Sequence, residues 1–229
     1  MKYVTGRHAM NLPCSLGTIL RLGIIDMRVK LSGISDLYSA KIAEEYNADF
    51  ISFNFDTADK DYLTLEHAHV IAQQIPETRK VGEFRNMPLN YVNKAAETVG
   101  VDYVQLNGSE SDRYIKRVER PVIKRFVFDD DFTLEKAEKC PAEMILIDIG
   151  AQDFQNEKLA DIIAKMHKSV IIAAKVDRKN VLALNHVLKP YAVDVSDCLE
   201  VNGVKNYKKI TSCMRHVHSL QGNVIYKLP

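Results

Sequence analysis

Short apolar, mostly β-branched runs alternate along this chain with longer segments whose apolar residues recur at spacings of three and four. The first pattern is typical of buried strands and the second of amphipathic helices. Strands are predicted at residues 28–32, 49–55, 80–84, 103–106, 122–127, 144–148, 170–174 and 192–196. Helices are predicted at residues 36–47, 64–75, 88–99, 110–118, 131–139, 155–167, 177–188 and 205–218. The pattern therefore predicts eight successive strand–helix units.

Strands that alternate with helices favour right-handed crossovers and a parallel sheet. Eight units of about 25 residues predict a single (β/α)8 TIM barrel of the α/β class. The nearly continuous apolar runs MILI and VIIAA fit strands that are covered on both faces. An open doubly wound sheet is the alternative, but the glycine-rich turn expected after its first strand is absent from the sequence.

Residues 1–27 lie outside this rhythm and contain turn-prone pairs such as Thr5-Gly6. We interpret them as a short N-terminal extension, either poorly ordered or folded over one end of the barrel, with Met27 as a candidate natural start. Residues 28–229 form the predicted barrel domain, and residues 220–229 are expected to pack on the surface or fray.

Composition narrows the functional classes. A formal net charge of +1 argues against nucleic acid or an anionic membrane as a partner. The four cysteines form no CxxC pair, and no apolar run approaches the roughly 20 residues of a membrane span. We also find no targeting signal. The sequence therefore predicts a cytoplasmic protein without a metal or another cofactor.

Several segments carry a family resemblance. VKLSG (29–33), VGEFRN (81–86), VGVDYVQLNGSE (99–110), VIKRF (122–126) and YAVDVSDCLEVNGVKNYKKI (191–210) occur in this order. They resemble the K-[IV]-C-G, V-G-[VL]-F-x-[ND], G-[LV]-D-x-[VI]-Q-L-H-G-x-E, V-I-[KR]-x-[FV] and D-[VL]-[SN]-S-G-[VI]-E motifs of the phosphoribosylanthranilate isomerases of tryptophan biosynthesis. The resemblance covers residues 28 to about 215.

The resemblance implies an Amadori rearrangement of N-(5-phosphoribosyl)anthranilate, an intramolecular aldose–ketose isomerisation. Such a reaction needs an acid that protonates the sugar ring oxygen and a base that removes a proton from C2. By resemblance, Ser32 holds the base position, which is a cysteine in the family, and Asp148 holds the acid position. Asp194, Asn107 and Lys124 fall at substrate-binding positions, and the assembly is expected to be a monomer or a homodimer.

Some of these positions depart from the family pattern. A serine hydroxyl cannot act as a base without a partner that takes its proton, and Lys30 and Lys124 are the nearby candidates. Asp61 stands where the family has an arginine that grips the anthranilate carboxylate, and a carboxylate there repels that group. Asn107 replaces a histidine, which removes a titratable group but keeps hydrogen-bonding capacity.

The predicted phosphate site also departs from the family. There, glycines after strands seven and eight expose backbone N–H groups to the phosphate. Here the corresponding positions include Ala174, Lys175, Ser196 and Asp197. Lys175 either binds phosphate or pairs with Asp197.

Three functional hypotheses remain open from the sequence. The first is a divergent phosphoribosylanthranilate isomerase-like protein that acts on a phosphosugar. The second is a barrel enzyme for another sugar phosphate or amine, with Lys124 or Lys175 as a Schiff-base nucleophile unless they pair with Asp148 or Asp197. The third is a catalytically silent binding barrel.

Overall fold

A computed structural model describes residues 27–150, 155–176 and 181–221. Eight parallel strands pair in chain order, and the eighth closes the barrel on the first. The strands are β1 (Arg28–Leu31), β2 (Phe50–Asn54), β3 (Arg79–Phe84), β4 (Tyr103–Leu106), β5 (Val122–Val127), β6 (Met144–Gly150), β7 (Ser169–Ala174) and β8 (Ala192–Val195). The predicted (β/α)8 barrel is thus confirmed.

Within the described ranges, eight α-helices follow the strands, as predicted. They are α1 (Leu37–Glu45), α2 (Leu65–Ala72), α3 (Leu89–Val99), α4 (Asp112–Ile115), α5 (Leu134–Lys139), α6 (Glu157–Lys165), α7 (Val181–Leu188) and α8 (Tyr207–Gln221). Side chains of Asp36, Thr64, Ser111, Thr133 and Asn156 cap five of these helices at their N-termini.

Two local features differ from the predicted pattern. Helix α4 is shorter than the predicted 110–118, because the chain after Ile115 continues in turns with three-residue hydrogen bonds such as Val118 N to Ile115 O. A small hairpin, β9 (Glu200–Val201) and β10 (Val204–Lys205), was not predicted. Its turn has positive φ at both Asn202 and Gly203, which is the hairpin geometry that an Asn-Gly pair favours.

The core has two layers, because successive side chains of a strand point to opposite faces. Inside the barrel, Phe50, Val81, Ile123, Met144, Leu146, Ile171 and Ala192 form one apolar cluster. A larger cluster packs between the outer face of the strands and the helices. Among the buried residues of the strands are also polar ones: Lys30, Ser52, Glu83, Gln105 and Asp194. The barrel interior therefore contains both an apolar core and a set of buried polar side chains.

The predictions for residues 1–26 and 222–229 lie outside the described residues, and so do those for residues 151–154 and 177–180. Met27 is fully buried at the start of the barrel. In the described part of the chain, no helix has the length and apolar character needed to cross a membrane.

Gly33 marks the point where the chain leaves β1. Its φ is +69°, a conformation that residues with a Cβ adopt at a cost. A Cβ added there would come within 2.9 Å of Asp61 Cγ and 3.2 Å of Lys205 Nζ, so the glycine lets the Asp61 loop approach the end of β1. Gly33 therefore couples the end of the first strand to the loop after the second.

We expect Gly33→Ala to destabilise the protein more than Gly100→Ala. Gly100 also has a positive φ, +77°, but a Cβ there would meet no heavy atom within 4 Å among the described residues. The control should therefore cost only the backbone strain, about 1 kcal/mol, whereas Gly33→Ala adds a steric clash for a total of about 2–3 kcal/mol. Urea unfolding measures both. Equal losses of stability in the two variants would show that a Cβ at position 33 does not clash with Asp61.

Candidate active site

A cavity of about 550 Å³ opens at the carboxyl-terminal ends of the barrel strands. Active sites of (β/α)8 enzymes lie at this end, where the loops after the strands meet. Its lining includes eight of the residues predicted from the sequence: Ser32, Asp61, Asn107, Asp148, Ala174, Lys175, Asp194 and Ser196. The fold thus gathers these positions around one space, while their chemical roles remain predictions.

Below the lining, Lys30 is fully buried and holds two carboxylates together. Its Nζ lies 2.9 Å from Glu83 Oε1 and 3.1 Å from Asp194 Oδ2. It also donates to Ser32 Oγ at 2.5 Å. Strand alternation explains the contact with Ser32, because residues two apart on β1 and its extension point to the same face. We call Lys30, Glu83, Asp194 and Ser32 the lysine cluster.

Protonation states in the cluster follow from burial and charge. Burial disfavours the ammonium, but the charges of Asp194 and Glu83 outweigh it and raise the pKa of Lys30 above its usual 10.5. Burial also opposes the charge of Glu83, yet Lys30 and hydrogen bonds from Ser52 and Asn107 lower the pKa of Glu83. For Asp194, burial dominates and raises the pKa, with Glu83 adding to the effect and Lys30 opposing it.

Ser32 is held between the charged groups of the cluster. Its hydroxyl donates to Asp194 Oδ1 and accepts from Lys30, and Glu83 Oε1 lies 3.4 Å from its oxygen. The sequence named Lys30 as a candidate partner that would take the proton of Ser32. The contact exists, but the raised pKa of Lys30 keeps it an ammonium that donates. The group placed to receive that proton is therefore a carboxylate.

Glu83 connects the lysine cluster to β4. Its second oxygen accepts from Asn107 Nδ2 at 3.1 Å, and Asn107 Oδ1 accepts from Gln105 Nε2 at 2.9 Å. Among the described residues, no donor reaches Gln105 Oε1, although Gln105 is 98% buried and lines the cavity. A buried acceptor without a partner is costly, so this oxygen is suited to a donor of a bound ligand.

Asp148 lies near the carboxyl end of β6, away from the lysine cluster, and is paired with Arg125. The guanidinium donates to Asp148 Oδ2 through Nε, at 3.1 Å, and through Nη2. Asp148 Oδ1 accepts from the backbone N–H of Gly150 at 2.9 Å. Both carboxylate oxygens are therefore oriented, and both Arg125 and Asp148 line the cavity.

Asp61 sits between two lysines at the cavity rim. Its Oδ2 lies 3.8 Å from Lys60 Nζ and 3.9 Å from Lys205 Nζ, and each lysine also approaches Glu200, at 2.6 and 2.5 Å. Burial is the largest influence on this carboxyl and raises the pKa of Asp61, with Lys205 and Lys60 opposing it. The rim thus offers an acidic group with its own nearby cations.

The predicted phosphate positions are only partly described. Ala174 ends β7, and Lys175 is exposed at the cavity. Ser196 Oγ accepts from Lys205 Nζ at 3.4 Å. Asp197 begins a short 3₁₀ helix (Asp197–Leu199), but its side chain lies outside the described residues, so its pairing with Lys175 remains a prediction.

Lys124 has different partners from those expected. The sequence left open a pairing of Lys124 with Asp148 or Asp197, but its Nζ donates to Glu110 Oε2 at 2.7 Å and to the carbonyls of Gly108 and Leu106. Alternation on β5 places Ile123 and Arg125 inside the barrel, and Lys124 between them points away from the cavity. With its three N–H groups engaged, Lys124 is poorly suited to nucleophilic attack.

Sequence reasoning missed Glu83 and Arg125. A signal existed for Glu83, because VGEF carries it where the family motif has valine or leucine. Arg125 falls at the unspecified position of V-I-[KR]-x-[FV], where the motif gives no hint. Counting the side-chain alternation of β5 would have placed Arg125, rather than Lys124, in the cavity.

The chain is a (β/α)8 barrel whose polar side chains line a cavity at the carboxyl ends of the strands. Within that class, residues 29–216 match the family model described as N-(5'-phosphoribosyl)anthranilate (PRA) isomerase. The chain belongs to this family.

Individual relatives agree. An N-(5'-phosphoribosyl)anthranilate isomerase of Bacillus cereus is 31% identical over 191 residues, which is 80% of this chain and 94% of the relative. The phosphoribosylanthranilate isomerase of Thermus thermophilus has a TM-score of 0.77 at 28% identity, with 85% and 100% of the two chains covered.

Two further solved structures resemble this chain. One is a phosphoribosylanthranilate isomerase in complex with reduced 1-(o-carboxyphenylamino)-1-deoxyribulose 5-phosphate, with a TM-score of 0.77 at 26% identity over 84% of this chain and 99% of that one. The other contains monomers generated from the dimeric enzyme of Thermotoga maritima, with a TM-score of 0.75 at 26% identity and the same coverage. The predicted family resemblance is confirmed.

We expect Lys30→Met to destabilise the protein by about 3–5 kcal/mol near neutral pH, because it leaves two buried carboxylates without their cation. The loss should shrink as the pH falls through the carboxyl range, since protonation removes the uncompensated charges. Urea unfolding at several pH values measures this.

The matched control is Lys30→Met/Glu83→Val, which removes one carboxylate together with the ammonium. It should recover part of the stability lost in Lys30→Met. An equal loss in both variants, independent of pH, would contradict an electrostatic role for Lys30.

Proposed function

We propose that this protein is an isomerase that catalyses an Amadori-type aldose–ketose rearrangement of an N-substituted 5-phosphoribosylamine. The observation that carries the proposal is the placement of two acid–base centres on one cavity. Asp148 lies on β6, and the lysine cluster supplies Ser32, Glu83 and Asp194 from β1, β3 and β8. Strands β7 and β8 separate β6 from β1, so the centres approach a ligand from different sides.

Asp148 takes the part of the acid in this proposal. It can donate only when protonated, and in this structure its Oδ2 accepts hydrogen bonds from Arg125. Arg125 lines the same cavity, so an anionic group of the substrate can draw the guanidinium away and leave the Asp148 carboxyl facing the sugar. The proton then goes to the ring oxygen of the sugar, which opens the ring to the imine.

Other residues would bind the sugar phosphate. The open acceptor Gln105 Oε1 is placed for a sugar hydroxyl, which would satisfy it. Lys175 and Ser196 at the ends of β7 and β8 are placed for the phosphate, on the side of the barrel where this fold binds such groups. The family relationship supports a place in tryptophan biosynthesis and a cytoplasmic protein, working as a monomer or homodimer.

Asp61, at the cavity rim, bears on which amine substituent the substrate carries. Lys60 and Lys205 lie near Asp61 but also pair closely with Glu200, so they offset the Asp61 carboxylate only in part. The carboxylate therefore disfavours an anionic substituent such as anthranilate and favours a neutral or cationic one. The second candidate function is therefore the same rearrangement with a different amine. The two candidates share the sugar chemistry and differ only in what Asp61 faces.

The decisive experiment follows conversion of N-(5-phosphoribosyl)anthranilate by the full chain. We expect turnover, and a loss of about 10²–10⁴-fold in kcat for Asp148→Asn, since the amide cannot supply the proton. Asp130→Asn, an exposed residue in the loop after β5, is the matched control and should retain wild-type activity. Turnover that is unaffected by Asp148→Asn would refute the assigned acid.

The same assay with N-(5-phosphoribosyl)aniline separates the two candidate functions. This compound lacks the carboxylate, so Asp61 should favour it over the anthranilate adduct in kcat/KM. Asp61→Arg should reverse the ratio by about tenfold, which corresponds to about 1.4 kcal/mol. An unchanged ratio would show that Asp61 does not face the substituent, and absence of turnover with both compounds would refute the proposed reaction.

A further inference from the structure

We propose that Glu83 is the general base of the rearrangement and takes over the task of the cysteine that Ser32 replaces. This inference rests on the proposed function and deepens it. Glu83 stands where the family motif has valine or leucine, so it is a property of this chain and not of the family pattern.

Position is the first argument. Glu83 lines the cavity, and its Oε1 lies 3.4 Å from Ser32 Oγ, so a carboxylate oxygen stands one contact distance from the atom at the family's base position. A substrate carbon that would have faced the cysteine sulfur is therefore within reach of Glu83 after a small shift.

The residues at the replaced positions surround the Glu83 carboxylate. Ser32, in place of a cysteine, and Asn107, in place of a histidine, both lie within hydrogen-bond distance of the Glu83 carboxylate. Three departures from the family pattern thus converge on one group. A hydroxyl and an amide can donate hydrogen bonds to a neighbouring carboxylate. A thiol beside Glu83 would, once deprotonated, be repelled by the carboxylate.

Glu83 also changes the charge balance of the lysine cluster. Lys30 alone would neutralise Asp194, and Glu83 gives the buried cluster a second carboxylate and a net charge of −1 when all three groups are ionised. Burying an excess charge is expensive and does not serve stability. An ionised carboxylate that is held ready at a cavity wall does serve as a base.

Hydrogen-bonding capacity leaves room for the proton. A carboxylate has about four acceptor sites, and Lys30, Ser52 and Asn107 occupy three on Glu83. The single hydrogen of Ser32 is directed to Asp194, so one acceptor site of Glu83 remains for a substrate C–H.

In the protonated imine, the C2–H bond breaks and its electron pair forms the C1=C2 double bond. The π electrons of C1=N become the lone pair on nitrogen, which neutralises the iminium. The proton of C2 moves to the Glu83 carboxylate, where Lys30 remains as the counter-ion.

The test combines Glu83→Gln, Glu83→Val and the double variant Ser32→Cys/Glu83→Val, assayed with N-(5-phosphoribosyl)anthranilate and the aniline congener. Glu83→Gln should lower kcat by about 10²–10⁴-fold with little change in KM, because the amide accepts no proton. Glu45→Gln, the same chemical change on the exposed face of α1, should have no effect.

The double variant separates a catalytic role from a structural one. It restores the family's cysteine and removes Glu83, so activity should return relative to Glu83→Val. The acidic limb of its kcat/KM profile should move from the carboxyl range towards the thiol range, near 8. A base of another kind would leave the limb where it is in the wild type.

Outcomes distinguish the two proposals. A wild type that turns over neither compound overturns the reaction and the base together. A wild type that is active, with Glu83→Gln equally active and Asp194→Asn inactive, keeps the reaction and overturns Glu83 in favour of Asp194. Circular dichroism and urea unfolding of each variant exclude loss of the fold as the cause of lost activity.

Discussion

The buried ammonium of Lys30 is the interaction on which the mouth of this barrel depends. Its Nζ is fully enclosed and bridges β1 to Glu83 on β3 and Asp194 on β8. Without that cation, two carboxylates would face each other in a medium where their charges are weakly screened. Because Lys30 stays charged, it fixes Ser32 as a hydrogen-bond acceptor and keeps the carboxylates as the basic groups of the site.

The scaffold and the site of this chain have diverged to different degrees. Apolar residues fill the barrel, and its fold matches that of a family member, since many combinations of buried aliphatic side chains can fill such an interior. The cavity wall is subject to chemistry as well as packing. Compared with the family motifs, Glu83 adds a charge where they have valine or leucine and Asp61 stands where they have an arginine, so the electrostatic pattern of the wall differs from the one that those motifs imply.

Most of the fold could be predicted from the sequence, because eight strand–helix alternations leave few ways to bury both faces of the strands. The small hairpin at Asn202-Gly203 was missed although its turn residues are characteristic. Within the site, Ser32, Asp148 and Asp194 were located from motif positions, and the structure gathers them on the cavity. Partners were harder to predict: Asp148 was one partner considered for Lys124, whereas alternation on β5 gives that contact to Arg125. Pairing depends on which face a side chain occupies, and a shift of one residue reverses the face.

The loss of a catalytic cysteine does not by itself imply the loss of its reaction. A C2 proton must be accepted by some group of suitable basicity and position, and the chemistry is indifferent to whether that group is a thiolate or a carboxylate. In this chain a carboxylate has entered the wall 3.4 Å from the vacated position, together with a hydroxyl and an amide that tolerate it. A silent barrel would gain nothing from burying that extra charge and would be more stable with the valine or leucine of the family motif. The presence of Glu83, despite the free-energy cost of burying its charge, therefore argues for an altered catalytic group rather than for a site that has lost its activity.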